Sequence, residues 1–410
     1  INFDLGNDEM SACSVEYWLW LQTALGQGAR TDELLAYFGN PEEIYFAGSD
    51  EWRLSGLLTE KRIDALKRTT PSETGRILKE CNNKGYTIIT PDSLLYPKRF
   101  LQLPDMPLVI YGLGDCSVIN DELSIGVVGT RDASAYGIEI AQKLSYRLAQ
   151  AGATIVSGGA LGIDSEAHAG AMLAKGRTMA FLGCGLSCDY LKENASLRRA
   201  ITRYGAVFSE YAPFATPTRQ SFPIRNRLIS GASLGVVVIE AGVKSGSLIT
   251  AKRAVEQGKD VYAVPGDIVR SSFDGANHMI QNGAKPVFSA LDILCEYEDR
   301  YGELIDIEAA RQPVAGVEYV DYRKGKAKKE QVKTAPVQQT QAEAVVKKEL
   351  DDTVSPQAKA IYGVLSESPM HIDDIVRASN LKMNIVLSSL TELEIYGLVE
   401  LTGSKNYKII

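Results

Sequence analysis

The stretch Ser124-Ile125-Gly126-Val127-Val128-Gly129-Thr130-Arg131 is an almost unbroken apolar run that ends in glycine and a cation. A strand covered by helices on both faces reads as a continuous hydrophobic run, not as an alternating one. The run Leu234–Glu240 has the same character. Further strand-like runs are Thr154–Ser157, Thr178–Gly183, Ala206–Ser209 and Asp260–Val264. Helical patterns at Ile138–Ala151, Ser165–Lys175 and Leu248–Gln257 lie between them. Strands alternating with helices from 123 to about 295 predict an α/β fold, a doubly wound and mostly parallel sheet.

The carboxyl ends of parallel strands share one rim, where open α/β sheets bind ligands. Gly129 permits close backbone approach there, and Arg131 brings a cation. Ser157-Gly158-Gly159-Ala160-Leu161-Gly162-Ile163-Asp164 places three glycines at a strand–helix junction, an anion-binding nest. Asp164 is placed to cap the next helix, with His168 four residues on and on the same face. Lys244-Ser245-Gly246-Ser247 opens another helix and forms a second nest. In Ser221-Phe222-Pro223-Ile224-Arg225-Asn226-Arg227, Pro223 suits a first helical turn. Guanidinium groups beside an aromatic suit a phosphate and an unstacked base together. The other reading pairs Arg131 with Asp132 or Asp164, and Arg225 and Arg227 with carboxylates, and leaves Phe222 in the core. No G-x-G-x-x-G follows the first strand, and the Ser245–Ser247 spacing is not that of a Walker A loop. No Ser-His-Asp set, carboxylate pair or metal cluster accompanies the rim. A groove for a phosphodiester backbone fits these residues better than an active site does.

The chain has 410 residues, is 45% hydrophobic and 23% charged, and carries a formal net charge of −7. That size accommodates two to four domains. Binding of nucleic acid would rest on local patches and not on overall charge. No apolar run approaches the roughly 20 residues of a membrane helix. The N-terminal residues Ile1–Met10 are acidic and polar, unlike a signal peptide, and the expected location is the cytoplasm. Six scattered cysteines, of which only Cys184 and Cys188 lie close, fit free thiols better than zinc ligands. Residues 11–70 predict a small helical domain of helix-hairpin-helix or sterile-alpha type. It has a helix opening at Tyr17–Leu21, another through Leu34, Leu35 and Phe38 that stops at Gly39-Asn40-Pro41, and a third over Leu57–Leu66. A bridge over 71–115 holds a helix at Glu73–Lys84, a strand at Tyr86–Ile89 and a Pro-rich irregular stretch from Pro91 to Pro107. The α/β domain is expected over 75–297 and a linker over 298–354. Between Tyr322 and Lys348 the linker carries eight basic against two acidic residues. Residues 355–410 predict a winged helix, with helices at Ala358–Ser366, Ile372–Ser379 and Met383–Gly397. Its strands would be 397–401 and 407–410, joined by Thr402-Gly403-Ser404. Lys382 is the only basic residue of its recognition-type helix, and Glu392 and Glu394 are acidic, which favours protein docking over DNA reading.

Four ordered motifs resemble those of the DprA (Smf) family of DNA-processing proteins. They are Gly129-Thr130-Arg131, Ser157 to His168, Phe222-Pro-Ile-Arg-Asn-Arg227, and Glu240 to Ala251; Val264-Pro-Gly266 and Gly283-Ala284 also match. The resemblance spans 75–295 and implies an extended Rossmann-like domain. It departs at Leu161, where the family often has arginine. It implies a non-enzymatic protein without cofactor that binds single-stranded DNA and loads the RecA recombinase in natural transformation, as a homodimer. The DNA-binding residues expected are Gly129, Thr130, Arg131, Ser157, Gly158, Gly159, Arg219, Phe222, Arg225, Arg227, Lys244, Ser245, Gly246 and Ser247. Within that set Arg131 and Arg219 would take phosphates, Phe222 a base, and Arg225 and Arg227 would brace the loop. The dimer surface would include Met279 and Ile280. Two alternatives are an enzyme of the phosphoribohydrolase type, which shares the fold, and a protein-interaction scaffold. The enzymes carry a Pro-Gly-Gly-x-Gly-Thr loop and a catalytic Glu; here the strand end reads Glu240-Ala-Gly.

Overall fold

The computed structural model describes residues 14–190, 192–311, 354–365, 370–379, 381, 383–396, 398–401 and 406–409. Within them, strands β1 (Thr87–Ile89), β2 (Ile110–Gly114), β3 (Ser124–Val128), β4 (Thr154–Ser157), β5 (Thr178–Leu182), β6 (Gly205–Ser209), β7 (Gly235–Val238), β8 (Asp260–Ala263) and β9 (Lys285–Pro286) form one sheet. Its order is β1-β2-β6-β5-β4-β3-β7-β8-β9. From β6 to β9 all neighbours are parallel; β1 and β2 add antiparallel at one edge. The order runs outward from β3 through β4 to β6, then resumes at β7 on the other side of β3. The topological switch therefore falls between β3 and β7.

The central strands are buried on both faces. Ile125, Val127 and Ile155 pack with Ala141, Leu144 and Leu148 of the helix Ala135–Gln150. Val128, Val156 and Val236 face the other way, onto Leu228 and Ile229 of the helix Ser221–Gly231 and Ala251 and Ala254 of Ser247–Glu256. Alternate residues on one strand thus serve two cores, which is why these strands read as continuous apolar runs.

The N-terminal helices are Val15–Leu25, Asp32–Phe38, Pro41–Leu54 and Glu60–Arg68. The second helix stops before Gly39-Asn40-Pro41 as expected, and Pro41 also starts the next one: it sits in the first turn, and the Asn40 side chain accepts from Glu43 N. This region shares its core with the sheet edge, since Trp18, Trp20 and Trp52 cluster with Leu108, Val109 and Tyr111. The Gln22 amide donates to the carbonyls of Val109 (3.2 Å) and Glu210 (2.8 Å) and accepts from Val109 N (2.8 Å). Gln22 thereby joins the first helix to the residues that flank the paired strands β2 and β6.

The expected linker starts later than 298. Helices at Glu298–Tyr301 and Ile307–Arg311 follow the sheet, and Ile305 and Ala310 are buried in its core. Arg147 donates to Ala309 O at 3.1 Å. Residues 312–353, most of the linker, lie outside the described residues.

The C-terminal unit has helices Pro356–Val364, Ile372–Ser379 and Met383–Ile395 around a core of Ile361, Ile375, Leu390 and Leu393. Strands Val399–Leu401 and Asn406–Ile409 pair antiparallel, and Met370–His371 adds a third strand that no sequence pattern announces. Ser355 caps the first helix, and Glu392 accepts from both Ser355 N (2.7 Å) and its hydroxyl (2.6 Å). This is a winged helix. Lys382 and Thr402–Ser404 lie outside the described residues.

Candidate nucleic-acid interface

A pocket of about 300 Å³ opens at the β3/β7 switch, lined among others by Gly129, Thr130, Arg131, Asp164, Phe222, Arg225 and Ser245–Ser247. The β3 end is held by its neighbours: Thr130 N donates to Glu240 O (2.8 Å) and Ile163 N to Thr130 O (3.2 Å). Glycine is required beside this turn. Gly162 has φ +74°, and a Cβ there would stand 2.4 Å from Thr130 O. The turn leaves Arg131 exposed, its guanidinium 4.8 Å from the centre of the half-buried Phe222 ring. Neither Asp132 nor Asp164 forms an ion pair with it among the described residues, so the charge faces solvent and the ring. Phe222 rests on Gly183, where a Cβ would come within 2.9 Å of the ring, and its centroid lies 5.7 Å from that of Tyr190. The helix carrying Phe222 starts at Ser221 through a reciprocal pair, Thr218 N to Ser221 Oγ (3.0 Å) and Ser221 N to Thr218 Oγ1 (3.2 Å). Arg219, between the two, is exposed, as are Lys244 and Gly246. Ser245 is half-buried and shares a 2.8 Å hydrogen bond with Ser247.

Other members of the expected set point inward. Ser157 is fully buried and donates to Val127 O at 2.6 Å. Gly158 and Gly159 are buried too, and the nest is occupied from within: Asp164 Oδ2 accepts from Ala160 N at 3.3 Å. That carboxylate is the anion the glycine loop serves. Asp164, expected to cap its helix, instead folds back on the loop, and Gly162 holds the cap position without a side-chain bond. Arg225 is 4% exposed and donates to Gly158 O at 2.7 Å and to Phe181 O. Burial lowers its pKa, opposed by the Asp164 carboxylate, and burial raises that of Asp164, opposed by Arg225. Arg227 is 1% exposed; it pairs with Glu210 (2.7 Å) and Asp105 (3.3 Å). Contact of Ser157, Gly158 and Gly159 with a strand is thus corrected to an internal role, because a group without exposed surface cannot meet a phosphate, and Arg227 braces the loop from within. Arg225 braces likewise while lining the pocket floor. Ser247 is buried at the start of its helix.

A carboxylate and a histidine nearby are structural. Glu240 Oε2 accepts from Ser134 N (3.0 Å) and Ser134 Oγ (2.8 Å), and Ser134 Oγ accepts from Gly137 N (3.1 Å). It fastens the end of β7 to the helix cap after β3, a role hidden in the sequence by 106 residues of separation. His168 is fully buried against Thr178 Oγ1 (2.7 Å), and burial pushes its pKa down to about 3. Leu161, at the position of the family's usual cation, is half-buried. Among the described residues, Cys81, Cys116, Cys184, Cys188 and Cys295 are free, and no His, Cys, Asp or Glu group could hold a metal ion. No helix among them is long and apolar enough to cross a membrane.

A larger groove, about 850 Å³, lies away from this rim between the helices Ser247–Glu256 and Asp274–Gln281. Val243, Leu248, Val255, Val261 and Met279 line it. Ile280 is half-buried and packs on the sheet core. Met279 packs on that core as well, and of the two expected dimer residues it is the one that also lines the groove.

Residues 87–298 match the family described as DNA recombination-mediator protein A, and residues 346–403 match the DprA winged helix domain. The chain belongs to the DprA/Smf family. It is 33% identical over 354 residues to Protein Smf of Synechocystis, covering 86% of each chain. It is 39% identical over 225 residues to DNA processing protein DprA of Bacillus subtilis, covering 55% of this chain and 76% of that one. Among solved structures, DNA processing protein A from Streptococcus pneumoniae superposes with a TM-score of 0.61 at 31% identity, covering 68% of this chain and 97% of that one. The match at 87–298 contains every motif at the switch rim and the groove lined by Met279.

Proposed function

We propose that this DprA/Smf recombination mediator binds single-stranded DNA across the β3/β7 rim and delivers the strand to a RecA-type recombinase, acting in the cytoplasm as a homodimer. One observation carries this reading: Arg131 and Arg219 are exposed and Arg131 lies over the half-buried ring of Phe222 at the topological switch. Phosphates take the two arginines and Lys244, and a base stacks on the Phe222–Arg131 platform. A flat platform beside cations suits any base, so binding is sequence-tolerant and salt-sensitive. Glu240 Oε2 is held by Ser134, which gives this residue a structural role at the end of β7. The apolar groove beside Met279 supports dimerisation. The test is titration of fluorescent oligothymidine, with matched duplex alongside, at two salt concentrations. Preferential, salt-sensitive binding of the single strand is expected; equal or absent binding at low salt sinks the reading.

The winged helix favours a protein partner. Its third helix exposes Met383 and Leu387, one turn apart, and Tyr396 follows at its end. Removal of residues 312–410 is expected to leave strand binding intact. The cut follows Arg311 because Ile305 and Ala310 belong to the sheet core. Collapse of binding in that truncation would assign the strand to the tail.

A further inference from the structure

The Arg–Phe arrangement of the rim occurs a second time. Arg76, exposed on the helix Gly75–Lys84, lies 4.5 Å from the ring centre of the exposed Phe214. Phe214 and Phe222 sit at opposite ends of one loop, with exposed Arg219 between them. Pro213 and Pro217 fix backbone angles on either side of Phe214, so the loop has little freedom to lose on binding.

The two aromatic positions are linked by a single neighbouring loop, 183–190. Both of its ends, Gly183 and Tyr190, touch Phe222. In its middle Gly185 N donates to Ala215 O and Ser187 N to Pro213 O, both at 2.9 Å, on either side of Phe214. Gly185 allows this approach, since a Cβ there would lie 2.1 Å from Ala212 O. Ser187 Oγ reaches Glu80 Oε1 at 2.8 Å, on the helix that carries Arg76. Arg131, Phe222 and Tyr190 on one hand, and Arg76 and Phe214 on the other, are thus joined through one loop whose backbone is fixed by hydrogen bonds.

We propose that Arg76 and Phe214 form a second stacking station for the same single strand, extending its track from the sheet rim onto the N-terminal helical region. The inference rests on the strand-binding reading above. Arg76 lies outside the residues that match the mediator family, 87–298, whereas Phe214 lies within them. A strand long enough to reach both stations gains a stacked base and a phosphate contact; a short one occupies the Phe222 station alone.

The experiment measures affinity of the full chain for oligothymidines of about six and about twenty nucleotides, spanning the range of such sites. The variants are Phe214→Leu, which keeps apolar volume without the ring, and Arg76→Gln, which keeps length without charge. Each should weaken the long oligomer at least about fivefold and leave the short one unchanged. Unchanged affinity for the long oligomer in both variants would overturn the proposal. Equal loss at both lengths would overturn it too, because the effect would then come from the Phe222 station. Failure of the wild-type protein to bind either oligomer would sink the strand-binding reading itself.

Discussion

Arg219 and Arg227 stand eight residues apart in one motif, and the molecule uses them in opposite ways. Arg219 is exposed on the loop before its helix; Arg227 is 1% exposed and pairs with Glu210 and Asp105. The same contrast separates Arg131 from Arg225. Half of the charged motif builds the rim, and the other half faces outward from it. A buried guanidinium fixes geometry because leaving its partner unpaired is costly, whereas an exposed one is free to meet a phosphate.

The largest effect is expected on the buried side. Arg227→Ala leaves Glu210 buried without its cation and should cost about 3–5 kcal/mol of stability, read by urea denaturation. A loss under about 1 kcal/mol would erase the distinction between the two arginine classes. His168 offers a second probe of the interior. Its folded pKa of about 3 lies below the ordinary value of 6.5, so the unfolded chain takes up a proton that the native state refuses. Stability should fall as pH drops from 6.5 toward 3, by up to about 1.4 kcal/mol per unit, and level off below. His168→Gln should remove that part of the acid dependence; identical slopes in the two proteins would contradict it.

On the outward side, Phe222→Ala should weaken single-strand binding by about 1–3 kcal/mol. Its melting temperature should change little, because the ring is only half-buried. A large drop in melting temperature with unchanged affinity would make the ring part of the core.

Much of this was legible in the sequence. The strands Ser124–Val128 and Gly235–Val238 are announced by continuous apolar runs, and the others as far as Asp260–Ala263 by shorter strand-like runs, whereas the order that sets the switch point is seen only in the fold. Strand β2 is harder to read. Ile110–Gly114 follows a Pro-rich stretch, and its partner β6 lies about a hundred residues away. The two-residue strand β9 carries no periodicity. Burial of Arg227 depends on Glu210 and Asp105, and the nest at Gly158 is filled by Asp164; no local pattern reports either. Exposure of Arg131 is equally a tertiary fact, set by the turn that Glu240, Ile163 and Gly162 hold.

The most direct test of the outward-facing set is the salt dependence of oligothymidine binding in the Arg131→Ala/Arg219→Ala double variant, measured beside wild type with thermal unfolding of both. Removing one arginine–phosphate pair should reduce the slope of log affinity against log salt by about 0.7, so the double variant should lower it by about 1.4 with the melting temperature unchanged. An unchanged slope and affinity would contradict the account and place the strand elsewhere on the molecule.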